Sequence, residues 1–255
     1  MTRLIRLAAA YGSLMLLAAT LLGQTSDTTN EPAAIREALR PLQVVVGQWR
    51  GNTFREHVVH QVDWAWDHRS DPAAPALVMA APKNPFFESA RLSFDPDAEQ
   101  YLLTVFEPSG ERREFVGEFT EQPQDVVGDD GRGLQRTFEI RFEQTSPKSG
   151  ERWRLVMNQQ ENNRFLVELE KRRGQGRFRR FDTFSNQRKG TNFAIVEEGY
   201  GEKTCIISGG LGTIPVSHAG RTYYVCCSGC KAAFEDDPEA WIAAAKARVM
   251  ESGGD

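Results

Sequence analysis

The sequence predicts a mainly β protein, an antiparallel up-and-down β-barrel over residues 34–185 followed by a small α+β cysteine-rich module over residues 203–250. Three observations predict it. Between about Val44 and Phe184, apolar residues recur with period two, the spacing of strands that bury one face. Turn signals interrupt that stretch at short intervals: Asp95-Pro96-Asp97, Pro108-Ser109-Gly110, Asp129-Asp130-Gly131, Lys148-Ser149-Gly150, Asn162-Asn163 and Gly174-Gln175-Gly176. All four cysteines (Cys205, Cys226, Cys227 and Cys230) fall within 26 residues, and the preceding 204 residues contain none.

At the N-terminus, Arg3 and Arg6 precede an uncharged, mostly apolar run of 16 residues, Leu7 to Leu22. A spanning helix needs about 20 apolar residues, so the run suits the core of a secretory signal. The expectation is a signal peptide over residues 1–23, cleaved near Gly23, and an exported protein, periplasmic or extracellular. Retention as an N-terminal anchor is the alternative, and only then is a membrane a partner. Residues 24–33 are small and polar and read as a tether. A helix follows, with Asn30 as cap, Pro32 in its first turn, and Ile35, Ala38, Leu39 and Leu42 on one face. Pro41 ends it.

The strand-like stretch begins near Val46 and resolves into nine or ten pieces. Clear examples are Val58 to Trp66, Ala76–Ala80, Phe87–Phe94, Tyr101–Phe106, Glu114–Phe119, Phe138 to Phe142, Trp153 to Met157, Phe165 to Leu169 and Arg177–Phe184. An antiparallel meander with one apolar face and no helical layer closes on itself or folds into a sandwich, which also removes exposed edges. His60, Trp64 and Trp66 share the apolar face of one strand, His60 being a core histidine or a residue lining a pocket. Arg180 shares a face with Asp182 between Phe178 and Phe184, as a buried pair or a polar floor. His60, Trp64, Trp66 and Arg180 are therefore the candidate residues for holding an apolar small molecule in the barrel. His57 and His60 are three apart, face opposite sides of a strand and cannot share a metal. Residues 186–202, with Lys189-Gly190, Glu197-Glu198-Gly199 and Gly201, read as a linker.

With 31 basic and 35 acidic residues the net charge is -4, so no basic excess exists to neutralise phosphates and nucleic acid is not an expected partner. The local run Lys171, Arg172, Arg173, Arg177, Arg179 and Arg180 straddles a glycine turn and reads as a solvated hairpin tip, an anion-binding patch being the alternative. The chain carries no Gly-x-Ser-x-Gly, phosphate loop or His-Glu-x-x-His, and it is not expected to be an enzyme.

The chemistry lies in the C-terminal segment. Tyr223, Tyr224 and Val225 form a strand that delivers Cys226, Gly229 lets the backbone turn, and Cys230 opens a helix through Phe234. Thiols at a helix N-terminus are favoured as thiolates because free N–H groups point at the sulfur. A hairpin over 206–225 brings Cys205 back beside Cys226 and gathers three or four sulfurs around one point, as a soft or borderline metal ion requires. Three thiolates suit copper(I); four suit zinc. Cys227 is either a fourth ligand or, pointing away from its neighbour along a strand, none. His218 is a weaker candidate than a solvated loop histidine. A disulfide from Cys205 to Cys226 or Cys230 is one alternative for a domain this small. Thiol redox chemistry at Cys227-x-x-Cys230 is another.

Two resemblances bear on these readings. The helix leading into Val46-Gly47-Gln48-Trp49-Arg50-Gly51 resembles the Gly-x-Trp opening of lipocalin-like (calycin) barrels, which implies that helix and Trp close one end of an up-and-down barrel holding a small apolar ligand. The C-terminal segment resembles the TRASH/YHS metal-binding modules. Twenty residues separate Cys205 from Cys226 and three separate Cys226 from Cys230, Gly220-Arg221-Thr222-Tyr223-Tyr224 precedes the second cysteine, and Asp237-Pro238 starts a second helix. That resemblance implies Cys205, Cys226 and Cys230 as ligands. Thr204-Cys205-Ile206 departs from the family's frequent Asp-Pro-x-Cys-Gly and leaves the coordination number open.

Overall fold

The computed structural model describes residues 31–55, 57–128, 133–147, 150–189, 203–209 and 212–252. The expected signal peptide over residues 1–23, most of the expected tether and most of the expected linker lie outside the described residues. Among those described, no helix is long and apolar enough to cross a membrane.

Helix α1 (Glu31–Leu39) runs into a 3-10 helix (Arg40–Val45) that accommodates Pro41 near its start. Ten strands follow: β1 Gly47–Thr53, β2 Val59–Asp67, β3 Ala76–Ala80, β4 Ser89–Asp95, β5 Gln100–Phe106, β6 Arg112–Val127, β7 Leu134–Gln144, β8 Glu151–Glu161, β9 Arg164–Arg173 and β10 Arg179–Arg188. Each pairs antiparallel with its neighbours in sequence, and β1 pairs with β10, so the sheet closes into an up-and-down barrel. The last strand runs past Phe184 to Arg188. The period-two pattern produces this directly: on β2, His60, Val62, Trp64 and Trp66 are buried, and on β7, Phe138, Ile140 and Phe142.

Helix α1 contributes Ile35 and Leu39 to the core, each stabilising the fold by about 2 kcal/mol. The Tyr101 hydroxyl, on β5, donates to the Ala38 carbonyl at 2.8 Å and pins the helix. Trp49 is fully buried, donates from Nε1 to the Val45 carbonyl at 2.6 Å, and meets Phe165 edge-on at 4.7 Å. The Arg188 guanidinium lies 4.3 Å from the Trp49 ring and donates to the Val44 and Val46 carbonyls.

The interior is filled by side chains. The internal void, lined by Val62, Trp64, Phe142 and Phe165 among others, measures about 50 Å³. Sites for drug-sized ligands measure about 300–1,000 Å³.

Beyond the barrel, β11 (Ile214–His218) and β12 (Arg221–Val225) form a hairpin, followed by α2 (Ser228–Asp236) and α3 (Pro238–Ser252). Asp237 caps α3, its carboxylate accepting from the Ala240 N–H at 3.0 Å, with Pro238 at the first helical position. Helix α2 packs on β2. At that contact Arg69 makes a two-pronged ion pair with Asp236, both bonds 2.6 Å, and donates to the Ala232 carbonyl at 3.2 Å.

Candidate metal centre

The four cysteines converge at the junction of hairpin, helix and barrel. The Ile206 N–H donates to the Tyr224 carbonyl at 2.9 Å, which lays Cys205 alongside the end of β12, and the Ile214–Val225 register places Cys226 just beyond the hairpin. The Sγ atoms of Cys205, Cys226 and Cys230 all lie within 4.8 Å of one another, and Cys226 and Cys230 are 3.6 Å apart. Cys205 and Cys230 are buried and Cys226 partly so. Ser208 closes one side, its N–H donating to Cys205 Sγ and its hydroxyl meeting Cys226 Sγ, both at 3.4 Å. All four thiols are free. Three neutral-or-anionic sulfurs at this separation form a donor set for a thiophilic ion.

Cys227 plays a different part. Helix α2 begins at Ser228, two residues before Cys230, and Cys227 is its N-cap. Its sulfur accepts from the Cys230 N–H at 3.5 Å and from the Trp66 N–H at 3.4 Å, so it binds backbone on both the module and the barrel. It stands outside the three-sulfur group. His218 sits at the far end of β11, four residues and about 13 Å along the strand from Ile214.

The charges on the cluster are shared unequally. Hydrogen bonds from the neighbouring Cys226 and Cys230 thiols lower the pKa of Cys205, and the Ser208 contacts act the same way. The same two thiols, with the Cys230 and Trp66 N–H groups, hold Cys227 down at about 3. Hydrogen bonding to anionic Cys205 and Cys227 keeps the proton on Cys226, and burial keeps it on Cys230. Like charges this close cannot all form without a cation among them. A bound metal ion would release those protons.

Sequence reasoning missed His68. Its Nε2 lies 3.8 Å from Cys230 Sγ, and its ring stacks on Trp66 at 5.2 Å and tilts against Trp241 at 5.6 Å. Burial, then the nearby Arg36 guanidinium, push its pKa down to about 4, leaving a neutral imidazole at neutral pH. One signal existed: His60, Val62, Trp64, Trp66 and His68 continue a single alternating face past the end of β2. Trp66 and His68 border a cleft of about 220 Å³ between α1 and α3, also lined by Arg36, Ser208, Trp241 and Arg248.

Asp67 fixes the turn that presents His68. Its carboxylate accepts from the Arg69 and Ser70 N–H groups at 3.2 and 3.0 Å and pairs with Arg91 at 2.9 Å. Burial acts to raise its pKa, but the bonds from Ser70, Arg69 and Arg91 outweigh it and the net shift is downward. A carboxylate with a lowered folded-state pKa adds stability above its unfolded value of about 4, and loses it as pH falls through the folded value. Asp67→Asn should cost about 2 kcal/mol near pH 7, and the gap from the parent protein should close in acid; thermal unfolding at pH 7 and pH 3 checks both.

The other candidate residues divide. His60 has both ring nitrogens occupied, Nδ1 by the Val58 carbonyl at 3.3 Å and Nε2 by the Asn84 amide at 3.0 Å, and is a satisfied core histidine. His57 lies outside the strands, between β1 and β2, with φ 54°. Trp64 lines the small void, whereas Trp66 faces the cleft. Arg180 corrects its expectation. The β9–β10 register shifts between Arg180 and Asp182, and a shift of one residue turns side chains to the other face. Arg180 is thus exposed and paired with Glu168 at 2.8 Å, while Asp182 is buried and accepts from the Phe54, Arg55 and Thr183 N–H groups. The basic run is solvated or paired, with Lys171 and Arg173 both meeting Glu151.

No family model matches the chain, and no curated protein does. Among solved structures, the crystal structure of Rv2717c from M. tuberculosis is similar at 16% identity and a TM-score of 0.39, over 60% of this chain and 97% of that chain.

Proposed function

We propose that this is an exported metal-binding protein that holds a soft or borderline ion, copper(I) or zinc, on Cys205, Cys226 and Cys230 for sensing, delivery or sequestration. The observation that carries this reading is the convergence of three largely buried sulfurs to within 4.8 Å of one another. The spacing that residues 203–250 share with TRASH/YHS modules and the signal-like N-terminus add support from the sequence. Bound there, the ion would neutralise charge that the thiols cannot carry together. A void of about 50 Å³ leaves little room for the alternative of an apolar ligand in the barrel.

The test uses full-length protein purified without reductant or chelator, measuring metal by mass spectrometry and free thiols in denaturant with chelator. About one equivalent of copper or zinc with four free thiols is the expected result. No metal together with two or fewer free thiols would replace the metal site by a disulfide.

A further inference from the structure

The thiol cluster is built from the module alone, but it does not face the module alone. Cys230 Sγ has a barrel atom beside it, the Nε2 of His68, at 3.8 Å. In a tetrahedral thiolate–imidazole site the N···S edge is about 3.6 Å and the S···S edge about 3.8 Å, from ordinary zinc bond lengths. The His68–Cys230 contact and the 3.6 Å Cys226–Cys230 contact are both of that size. His68 stands outside the group of three sulfurs that lie within 4.8 Å of one another, so ligation requires its ring to close toward Cys205 and Cys226 as the ion binds.

The histidine's surroundings point the same way. A histidine retained for structure bonds both nitrogens, as His60 does. His68 does not: its Nδ1 is buried and has no hydrogen-bond partner, so the thiol is the polar group it meets. Its ring is oriented by stacking on Trp66 and packing against Trp241. Metal-bound histidines almost always donate the second ring N–H to an acceptor, and His68 departs from that pattern, its orientation resting on the two indoles alone. The docking is bonded on either side of His68. Arg69, the next residue, is bound to Asp236 and Ala232 of α2, and Trp66 to Cys227.

We propose that His68 is a fourth ligand, completing with Cys205, Cys226 and Cys230 a site shared between the barrel and the module. This rests on the thiolate reading above. A three-sulfur, one-nitrogen set favours zinc or another borderline ion over copper(I). It also makes the ion a clasp between the two parts of the chain, so that metal binding and module docking support each other.

The experiment is X-ray absorption on zinc-loaded full-length protein and on His68→Ala, with zinc affinity read by competition against a chelator. The parent protein should show three sulfur scatterers and one imidazole. His68→Ala should lose the imidazole signature, keep the sulfurs, and bind zinc about tenfold or more weakly. An all-sulfur spectrum in the parent protein, or an imidazole that survives in His68→Ala, overturns the assignment while leaving the thiolate site intact. Zinc retained in full by Cys226→Ser/Cys230→Ser would instead overturn the thiolate reading, and His68 with it. Should His68→Ala fail to fold, His57→Ala and His218→Ala decide: the signature must persist in both, since His60 is bonded through both nitrogens, and its loss in either overturns the proposal.

Discussion

Gly229→Ala is expected to destabilise the full-length protein by about 3 kcal/mol and to loosen the module from the barrel. Gly229 lies in the first turn of α2 with its α-carbon pressed against β2. A β-carbon there would stand 1.7 Å from the Trp66 carbonyl oxygen and 2.8 Å from its carbon. The obstacle is backbone near the end of β2, paired with Leu77 of β3, which cannot swing aside as a side chain would. Relief must come from α2 moving off β2, which also breaks the Trp66–Cys227 bond and strains the Arg69–Asp236 pair. Thermal unfolding and the near-ultraviolet signal of Trp66 and Trp241 measure the two effects. An unchanged midpoint with an unchanged spectrum would show that the docking is not as drawn.

Replacing Cys226 and Cys230 together by serine should reduce bound metal from about one equivalent to less than a tenth. Serine keeps the size and removes the soft anionic donor, so one sulfur of the three remains. Cys227→Ser should behave in the opposite way. Its sulfur serves as a helix cap and an acceptor for Trp66, and a serine oxygen also caps well, so metal should stay stoichiometric and stability within about 1 kcal/mol. Metal content by mass spectrometry, with circular dichroism to confirm the fold, separates the pair. If the double variant keeps its full equivalent, the site lies elsewhere.

These outcomes divide along what the sequence could reveal. Alternation from His60 to Trp66 and from Phe138 to Phe142 marked the strands, because a barrel wall imposes period two on every strand it contains. The 20-residue spacing from Cys205 to Cys226 implied a hairpin returning one cysteine to another, and β11 and β12 form it. Arg180 was unreadable because a bulge leaves no local mark and flips the face assigned by counting. For His68 the alternation past Trp66 gave its face, but its partner was unreadable for another reason. His68 stands 162 residues from Cys230, and only the docking of α2 on β2 brings them together. His57, His60 and His218 each invited attention by their position in the sequence, and none of them joins the sulfurs.

The seam that closes the barrel has a consequence in time. Arg188 reaches back 144 residues to Val44 and 142 to Val46, and β1 finds its second neighbour only in β10. Contacts of such separation form slowly, since a long loop must be ordered before they repay it. Closure of the seam is therefore expected to limit the folding rate. Trp66 becomes a fixed platform only when the wall containing it is complete, and α2 has nothing rigid to settle on before then. The sulfurs, all within 26 residues, can gather locally, but their contact with His68 must wait for the wall that carries it. Acquisition of an ion shared with His68 would then be the last event of folding.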